Sequence, residues 1–153
     1  MIAQAEHKDT IINRQGKTKD IMQAVVDCYN SDYAQVQELA DNFPGNDTLS
    51  RCRAVFDFVD KNIKYQIDPL QKQWIRTPAR LWSDGEGDCK SFSIFICSCL
   101  RCMGIPHLFR FAAYEGNSDP THVYAVAIDE SGKEIIVDPV YRDENGKAVF
   151  NKE

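Results

Sequence analysis

The chain has no long hydrophobic run. Its most apolar segment, Phe92 to Leu100, is interrupted by Ser93 and Ser98 and stopped by Arg101, far short of the ~20 residues that cross a bilayer as a helix. This excludes a helical membrane span and predicts a buried element there instead. The N-terminal residues Met1-Ile2-Ala3-Gln4-Ala5-Glu6-His7-Lys8 lack the apolar stretch of a secretory signal, so the expected location is the reducing cytoplasm. Positive charge is also in short supply. Eighteen Lys and Arg face 23 Asp and Glu for a net charge of −5, which removes the overall electrostatic case for nucleic acid or an anionic membrane as a partner. Histidine is scarce, with only three in the chain, and this narrows any search for a general base. No internal repeat or low-complexity tract occurs, so solenoid and fibrous architectures are set aside.

What is present suits one domain: 153 residues, 43% apolar and 27% charged, enough to build a single core. The six cysteines are Cys28, Cys52, Cys89, Cys97, Cys99 and Cys102. Their crowding into one short segment does not read as a disulfide framework, and in a reducing compartment most are expected to be small buried hydrophobes. On a helix Cys97 and Cys99 point about 200° apart and cannot share one metal ion. No metal or cofactor is expected.

Residues 1–17 are polar and aperiodic and are expected as a loose leader, with a single domain over 18–153. Between Lys19 and Phe43 the residues Met22, Val25, Val26, Tyr29, Tyr33, Val36, Leu39 and Ala40 recur at spacings of three and four, which predicts amphipathic helix broken near Asn30-Ser31-Asp32. Asp47 or Thr48 caps a second helix with Leu49, Cys52, Val55, Phe56 and Val59 on its apolar face. The alternation Ile63, Tyr65, Ile67 predicts a short extended piece, and Thr77-Pro78 opens a helical turn through Trp82. Ser83 to Gly87 is expected as loop. Asp88 then caps a helix from Cys89 that is apolar nearly all round and ends at Gly104 and Pro106. Such a helix belongs at the centre of a small domain. The remainder is β in character: Leu108 to Tyr114, Val123 to Ile128 and Glu134 to Asp138, with turns at 115–120 and 129–133 and a last hairpin turn at Asn145-Gly146. Helices followed by strands argue an α+β domain.

Gly87-Asp88-Cys89-Lys90 places a cysteine in the first turn of a helix, where free N–H groups and the positive end of the helix dipole favour a thiolate and can receive an oxyanion. A reactive thiol needs a base and a group that orients the base. His7 lies in the leader and His107 at a strand start after Pro106, whereas His122 begins the strand that should pair with the one ending at Asp138. If 121–129 and 133–138 form an antiparallel hairpin, residue 122 lies roughly opposite residues 138 to 140. His122 and Asp138 then become neighbours at one sheet end, with Cys89 within reach across a helix–sheet contact. Taken singly, each has an ordinary explanation: a buried thiol, a strand-end histidine satisfied by water, a turn-forming aspartate before Pro139. Only the set carries weight.

That set, Gly87-Asp88-Cys89-Lys90, His122-Val123 and Val137-Asp138-Pro139 in this order, resembles the core of the transglutaminase-like superfamily. The resemblance extends upstream through Val55 to Tyr65 with its Asn62-Ile63-Lys64-Tyr65, through Arg76-Thr77-Pro78-Ala79-Arg80-Leu81-Trp82, and to Gly104-Ile105-Pro106. It implies a papain-like fold: N-terminal helices, then a central nucleophile helix packed on a small antiparallel sheet. It also implies Cys89 as nucleophile, His122 as base and Asp138 as orienting acid. The implied chemistry is thiolate attack on a carboxamide of a protein or peptide substrate, through an acyl-enzyme resolved by water or by another amine. Hydrolysis of a peptide or isopeptide bond is the first expectation. Protein-glutamine amine transfer, or a non-catalytic interaction module keeping the fold, are the alternatives. A bacterial or phage setting follows by fold analogy alone. A second oxyanion donor is needed beside the Cys89 N–H, and Gln73 or Trp74 is the nearest candidate upstream. Trp74, Trp82, Tyr65 and Tyr124 are aromatic candidates for the rim of a cleft.

Overall fold

The computed structural model describes residues 9–13, 18–69, 72–112 and 122–152. In chain order the elements are β1 (Asp9–Asn13), α1 (Thr18–Asp32), a 3₁₀ turn (Tyr33–Val36), α2 (Gln37–Asp41), α3 (Thr48–Asn62), β2 (Lys64–Tyr65), β3 (Lys72–Arg76), α4 (Pro78–Asp84), β4 (Glu86–Gly87), α5 (Cys89–Cys102), β5 (His107–Ala112), β6 (His122–Ile128) and β7 (Glu134–Val137). The order is α+β, with helices ahead of an antiparallel sheet arranged β5–β6–β7. The expected turn at 115–120, and His7, lie outside the described residues.

Local chemistry accounts for the helix ends. Ser31 Oγ donates to Cys28 O or to the Asp32 carboxylate, a local alternative to the helix ladder, and α1 stops there before the 3₁₀ turn. Asp47 is the cap of α3, accepting the Ser50 N–H at 2.8 Å while Ser50 Oγ accepts the Asp47 N–H. Thr77 Oγ1 accepts the Arg80 N–H ahead of α4, with Pro78 at its first position, and Gly85 at φ 71° closes it. Three expectations change. Leu49, placed on the apolar face of α3, is 47% exposed, because it falls in the first turn before that face meets the core. The expected loop 83–87 holds the end of α4 and β4, which pairs parallel to β2 through Lys64 N–H to Gly85 O and Gln66 N–H to Gly87 O. Within the expected leader, Asp9–Asn13 pair antiparallel with Lys72–Arg76, a pairing set by backbone hydrogen bonds and invisible to apolar periodicity.

Helix α5 is buried from Lys90 to Leu100. On one side Phe92, Phe95, Ile96 and Leu100 cluster with Val55, Phe56 and Val59 of α3, with Val36 and Leu39, and with Ala125, Ala127, Ile135 and Val137 of the sheet. On another, Ile94 packs with Val25 of α1 and Ile75 of β3. The β6–β7 turn is closed by Asp129, whose Oδ1 accepts the Ser131 and Lys133 N–H groups, with Gly132 at φ 85°. This turn fixes the register Ala125↔Val137 and Ile128↔Glu134, and continuing it sets residue 122 opposite residue 140.

Gly87 sits where three elements meet. A Cβ there would lie 2.5 Å from Leu81 Cδ1 and 3.2 Å from Ser91 Cβ, and both neighbours are fully buried. Gly87→Ala is therefore expected to destabilise the protein by about 1–3 kcal/mol, as overpacking does, seen as a lower urea midpoint at unchanged slope. An unchanged midpoint would mean that Leu81 has room to move aside.

Candidate active site

Three element ends converge. Cys89 is the first residue of α5, and Asp88 caps that helix by accepting the Lys90 N–H at 3.1 Å and the Ser91 N–H at 3.4 Å. The cap thus takes the second and third N–H groups of the helix and not that of Cys89. His122 opens β6 and Asp138 directly follows β7. His122 Nε2 donates to Asp138 Oδ2 at 2.6 Å, while Asp138 Oδ1 accepts the Val140 N–H. Asp138 is therefore both the turn former and the imidazole's partner, and it is nearly fully buried.

Burial by itself would depress the His122 pKa. Hydrogen bonds to Asp138 and to Cys89, with the charges of both, outweigh it and raise the value from 6.5 to about 10. Cys89 is thus among the groups that act on this ring, whose Nε2 is engaged by Asp138. Ser93 holds the helix end to the sheet here. Its hydroxyl lies 2.7 Å from Cys89 O and 2.9 Å from Val123 O, linking the carbonyls of Cys89 and of the residue after His122. Tyr124 stacks on the imidazole with centroids 5.6 Å apart.

Tyr65 lies beside Gly87 in the β2–β4 pair, and its ring meets Phe92 edge to face at 5.8 Å. Burial, followed by the charges of Cys89, Asp88 and Asp138, raises its pKa, so the phenol stays protonated at the edge of the site. Trp82, the other expected rim aromatic, instead stacks on Phe58 of α3 at 5.5 Å. His107 has both ring nitrogens engaged, by the Tyr29 hydroxyl and by Ile105 O, each at 2.7 Å.

A buried set of charges adjoins Cys89. Lys90 Nζ contacts Asp88, donates to Gln73 Oε1 at 2.7 Å and lies 3.7 Å from Asp68 Oδ2. Asp68 Oδ2 also accepts the Trp74 N–H at 2.8 Å, and Asp68 Oδ1 pairs with Arg76 Nη1 at 3.3 Å. Burial pushes the Asp88 carboxyl up, and Lys90 pulls it back. Gln73 is engaged at both ends, since its amide nitrogen donates to Pro69 O at 2.9 Å. The Trp74 ring lies 5.6 Å from the Arg76 guanidinium carbon. Asp68 and Lys90 were not singled out from sequence. The available signal was a lysine inside a helix otherwise apolar nearly all round.

A thiol at a helix start, a histidine at a strand start and a carboxylate behind it, on a helix packed against an antiparallel sheet, define a papain-like fold with a Cys-His-Asp cluster. The chain matches the transglutaminase-like superfamily over residues 37–139 and belongs to it. Two solved structures share the fold. A candidate cysteine protease from Cytophaga hutchinsonii is 19% identical with a TM-score of 0.54, covering 94% of this chain and 53% of its own. A candidate protease from Parabacteroides distasonis is 11% identical with a TM-score of 0.62, covering 79% of this chain and 26% of its own. The chain thus spans about half of the first and a quarter of the second. Among curated protein sequences none matches it. No described helix is long and apolar enough to cross a membrane.

Two outcomes follow. Burial pushes Cys28 and Cys52 up to about 12 and raises Cys97, Cys99 and Cys102 as well, so iodoacetamide at neutral pH should alkylate Cys89 first in the native protein, and His122→Ala should slow that reaction. Peptide mapping after brief labelling reads this; uniform labelling of all six would overturn it. Because the folded His122 pKa lies above its unfolded value, its contribution to stability is fully present below pH 6.5 and fades as pH rises towards 10. Urea midpoints should therefore fall more steeply across that window in wild type than in His122→Gln.

Proposed function

We propose that the protein is a cysteine hydrolase that cleaves a peptide or isopeptide amide bond of a protein or peptide substrate through Cys89, His122 and Asp138. The observation that carries this reading is the 2.6 Å contact between His122 Nε2 and the buried Asp138 carboxylate, on a ring that also feels Cys89. In this reading Asp138 orients the ring so that Nδ1 addresses the sulfur, and its charge favours the imidazolium.

In the proposed reaction the Cys89 sulfur attacks the substrate carbonyl carbon and the carbonyl oxygen takes up negative charge. The Cys89 N–H and the Trp74 indole N–H would face that oxygen, since the Gln73 amide is already engaged by Lys90 and Pro69 and the Trp74 backbone N–H by Asp68. As the tetrahedral adduct collapses, the C–N bond breaks and His122 gives its proton to the departing amine. The product is a thioester on Cys89. His122, now neutral, takes a proton from water as the water attacks the thioester; breaking the C–S bond releases the acid and returns the thiolate–imidazolium pair. Trp74, Tyr65 and Tyr124 are the proposed aromatic surroundings of this chemistry. Six free thiols suit a reducing compartment such as the cytoplasm.

The test is a peptide-library digest read by mass spectrometry. Wild type should cleave defined bonds, Cys89→Ala should lose about a thousandfold or more, and Asp138→Asn about a hundredfold or more in kcat. Incorporation of a fluorescent primary amine into casein without cleavage would replace hydrolysis by amine transfer. Absence of both reactions in wild type would point to an interaction module.

A further inference from the structure

The charges behind Cys89 are arranged in a way that stability alone does not call for. Asp68 belongs to no helix or strand, yet it is 5% exposed, and its carboxylate joins two elements. On β3 it accepts the Trp74 N–H at 2.8 Å and pairs with Arg76 at 3.3 Å. On α5 it lies 3.7 Å from Nζ of Lys90, the residue after the nucleophile, and that ammonium in turn holds Gln73 Oε1 at 2.7 Å. Lys90 is itself only 6% exposed, and Asp88, its other partner, 4%. Removing such charges from water costs several kcal/mol per ion before their attraction is counted, and apolar groups of the same size often stabilise as well or better. What an ion set supplies that apolar packing does not is a single geometry, and here it fixes how the Gln73–Trp74 end of β3 sits against the first turn of α5.

We propose that Asp68 is a positioning residue for the active site. Through Lys90 and the Trp74 amide it clamps the start of β3 to the first turn of α5, setting the wall that meets the substrate carbonyl without itself touching substrate. This rests on the hydrolase reading for its kinetic consequence but not for its structural one. Two properties of the carboxylate separate in variants. Asp68→Asn keeps an oxygen able to accept the Trp74 N–H but loses the charge that answers Lys90 and Arg76. Asp68→Ala loses both.

The chain holds two tryptophans, so in a Trp82→Phe background Trp74 emission reports on the wall directly. Trp82 stacks on Phe58 of α3 and is 40% exposed, which suits it to replacement by phenylalanine. The experiment measures four quantities for Asp68, Asp68→Asn and Asp68→Ala in that background: melting temperature, Trp74 emission and its quenching by acrylamide, the rate of Cys89 alkylation by iodoacetamide, and kcat and KM on the best-cleaved library peptide. Expected for Asp68→Ala is more exposed, more readily quenched Trp74 and a kcat lower by about tenfold or more, the scale of a misplaced catalytic group. Cys89 alkylation and KM should stay near wild type. Asp68→Asn should fall between wild type and Asp68→Ala. Unchanged Trp74 emission and quenching in both variants would overturn the proposal, whatever the activity. So would kcat and alkylation falling together with the melting temperature, the mark of general loosening. Should Asp68→Ala fail to fold, Asp68→Asn alone decides by the same criteria. If wild type cleaves no peptide, the hydrolase reading fails separately, and Trp74 emission and quenching still decide whether Asp68 positions the wall.

Discussion

Helix α5 has no face that can be left to water. From Lys90 to Leu100 every residue is buried, so the helix is stable only if something covers each side of it. Helices α2 and α3 cover one side, α1 and β3 another, and β5 and β6 a third. Several of the elements around it, such as the two-residue β4, could not persist alone. They hold because α5 offers each an apolar surface, and α5 holds because they surround it. A helix constrained on all sides has little freedom to shift along or about its axis, and that rigidity is passed to its first turn, where Cys89 sits.

The first turn obeys a different rule from the rest of the helix. There the groups to be covered are polar: the N–H groups of the helix start, the Asp88 cap, the Lys90 ammonium and the carbonyls of Cys89 and Val123. Burying any of them unpaired would be costly. Most are paired with one another, Asp88 with two N–H groups and Lys90, Ser93 with the two carbonyls. The cap that satisfies the helix start also buries a carboxylate beside Cys89, and a buried charge left unanswered is costly. Lys90, the next residue, supplies the compensating positive charge. The one-residue spacing Asp88-Cys89-Lys90 is thus an electrostatic arrangement as well as a cap.

How far sequence reached follows from what kind of signal each feature leaves. The α3 face of Cys52, Val55, Phe56 and Val59 was legible because burial imposes a helical period, and Leu49 was misplaced because that period says nothing about where a helix meets the core. The meeting of His122 with Asp138 was legible because a hairpin turn converts sequence distance into register. The place of Cys89 at the helix start was legible from the glycine and aspartate before it. Asp68 left no such trace. It lies in an aperiodic stretch, and its partners Trp74, Arg76 and Lys90 come from elements whose mutual placement only the folded chain defines. The β1–β3 pairing was hidden for a related reason, since backbone hydrogen bonding between strands of five residues leaves no apolar period. Gln73 was noticed for its amide but not for its engagement, which depends on Lys90 turning back from a buried helix.

The same geometry bears on what selects the acceptor in the proposed reaction. With His122 raised to about 10, the imidazolium is the form present at neutral pH, and a proton stands ready for the departing amine. Once that proton is given up, the ring is neutral and can take one from whichever nucleophile approaches the thioester, water or a second amine. The Cys-His-Asp cluster is therefore indifferent between hydrolysis and transfer. Discrimination has to come from groups that shape access to the acyl group, and those belong to the segments on either side of the cluster: Tyr65 beside Gly87, exposed Ile67 two residues further on, and Trp74 at the strand held by Asp68. Cys89 and His122 sit on elements locked by the core, whereas these neighbours sit on short strands and loops. In the proposed reaction the chemistry is then fixed by the part of the fold that cannot vary without unfolding, and acceptor choice is left to the part that can.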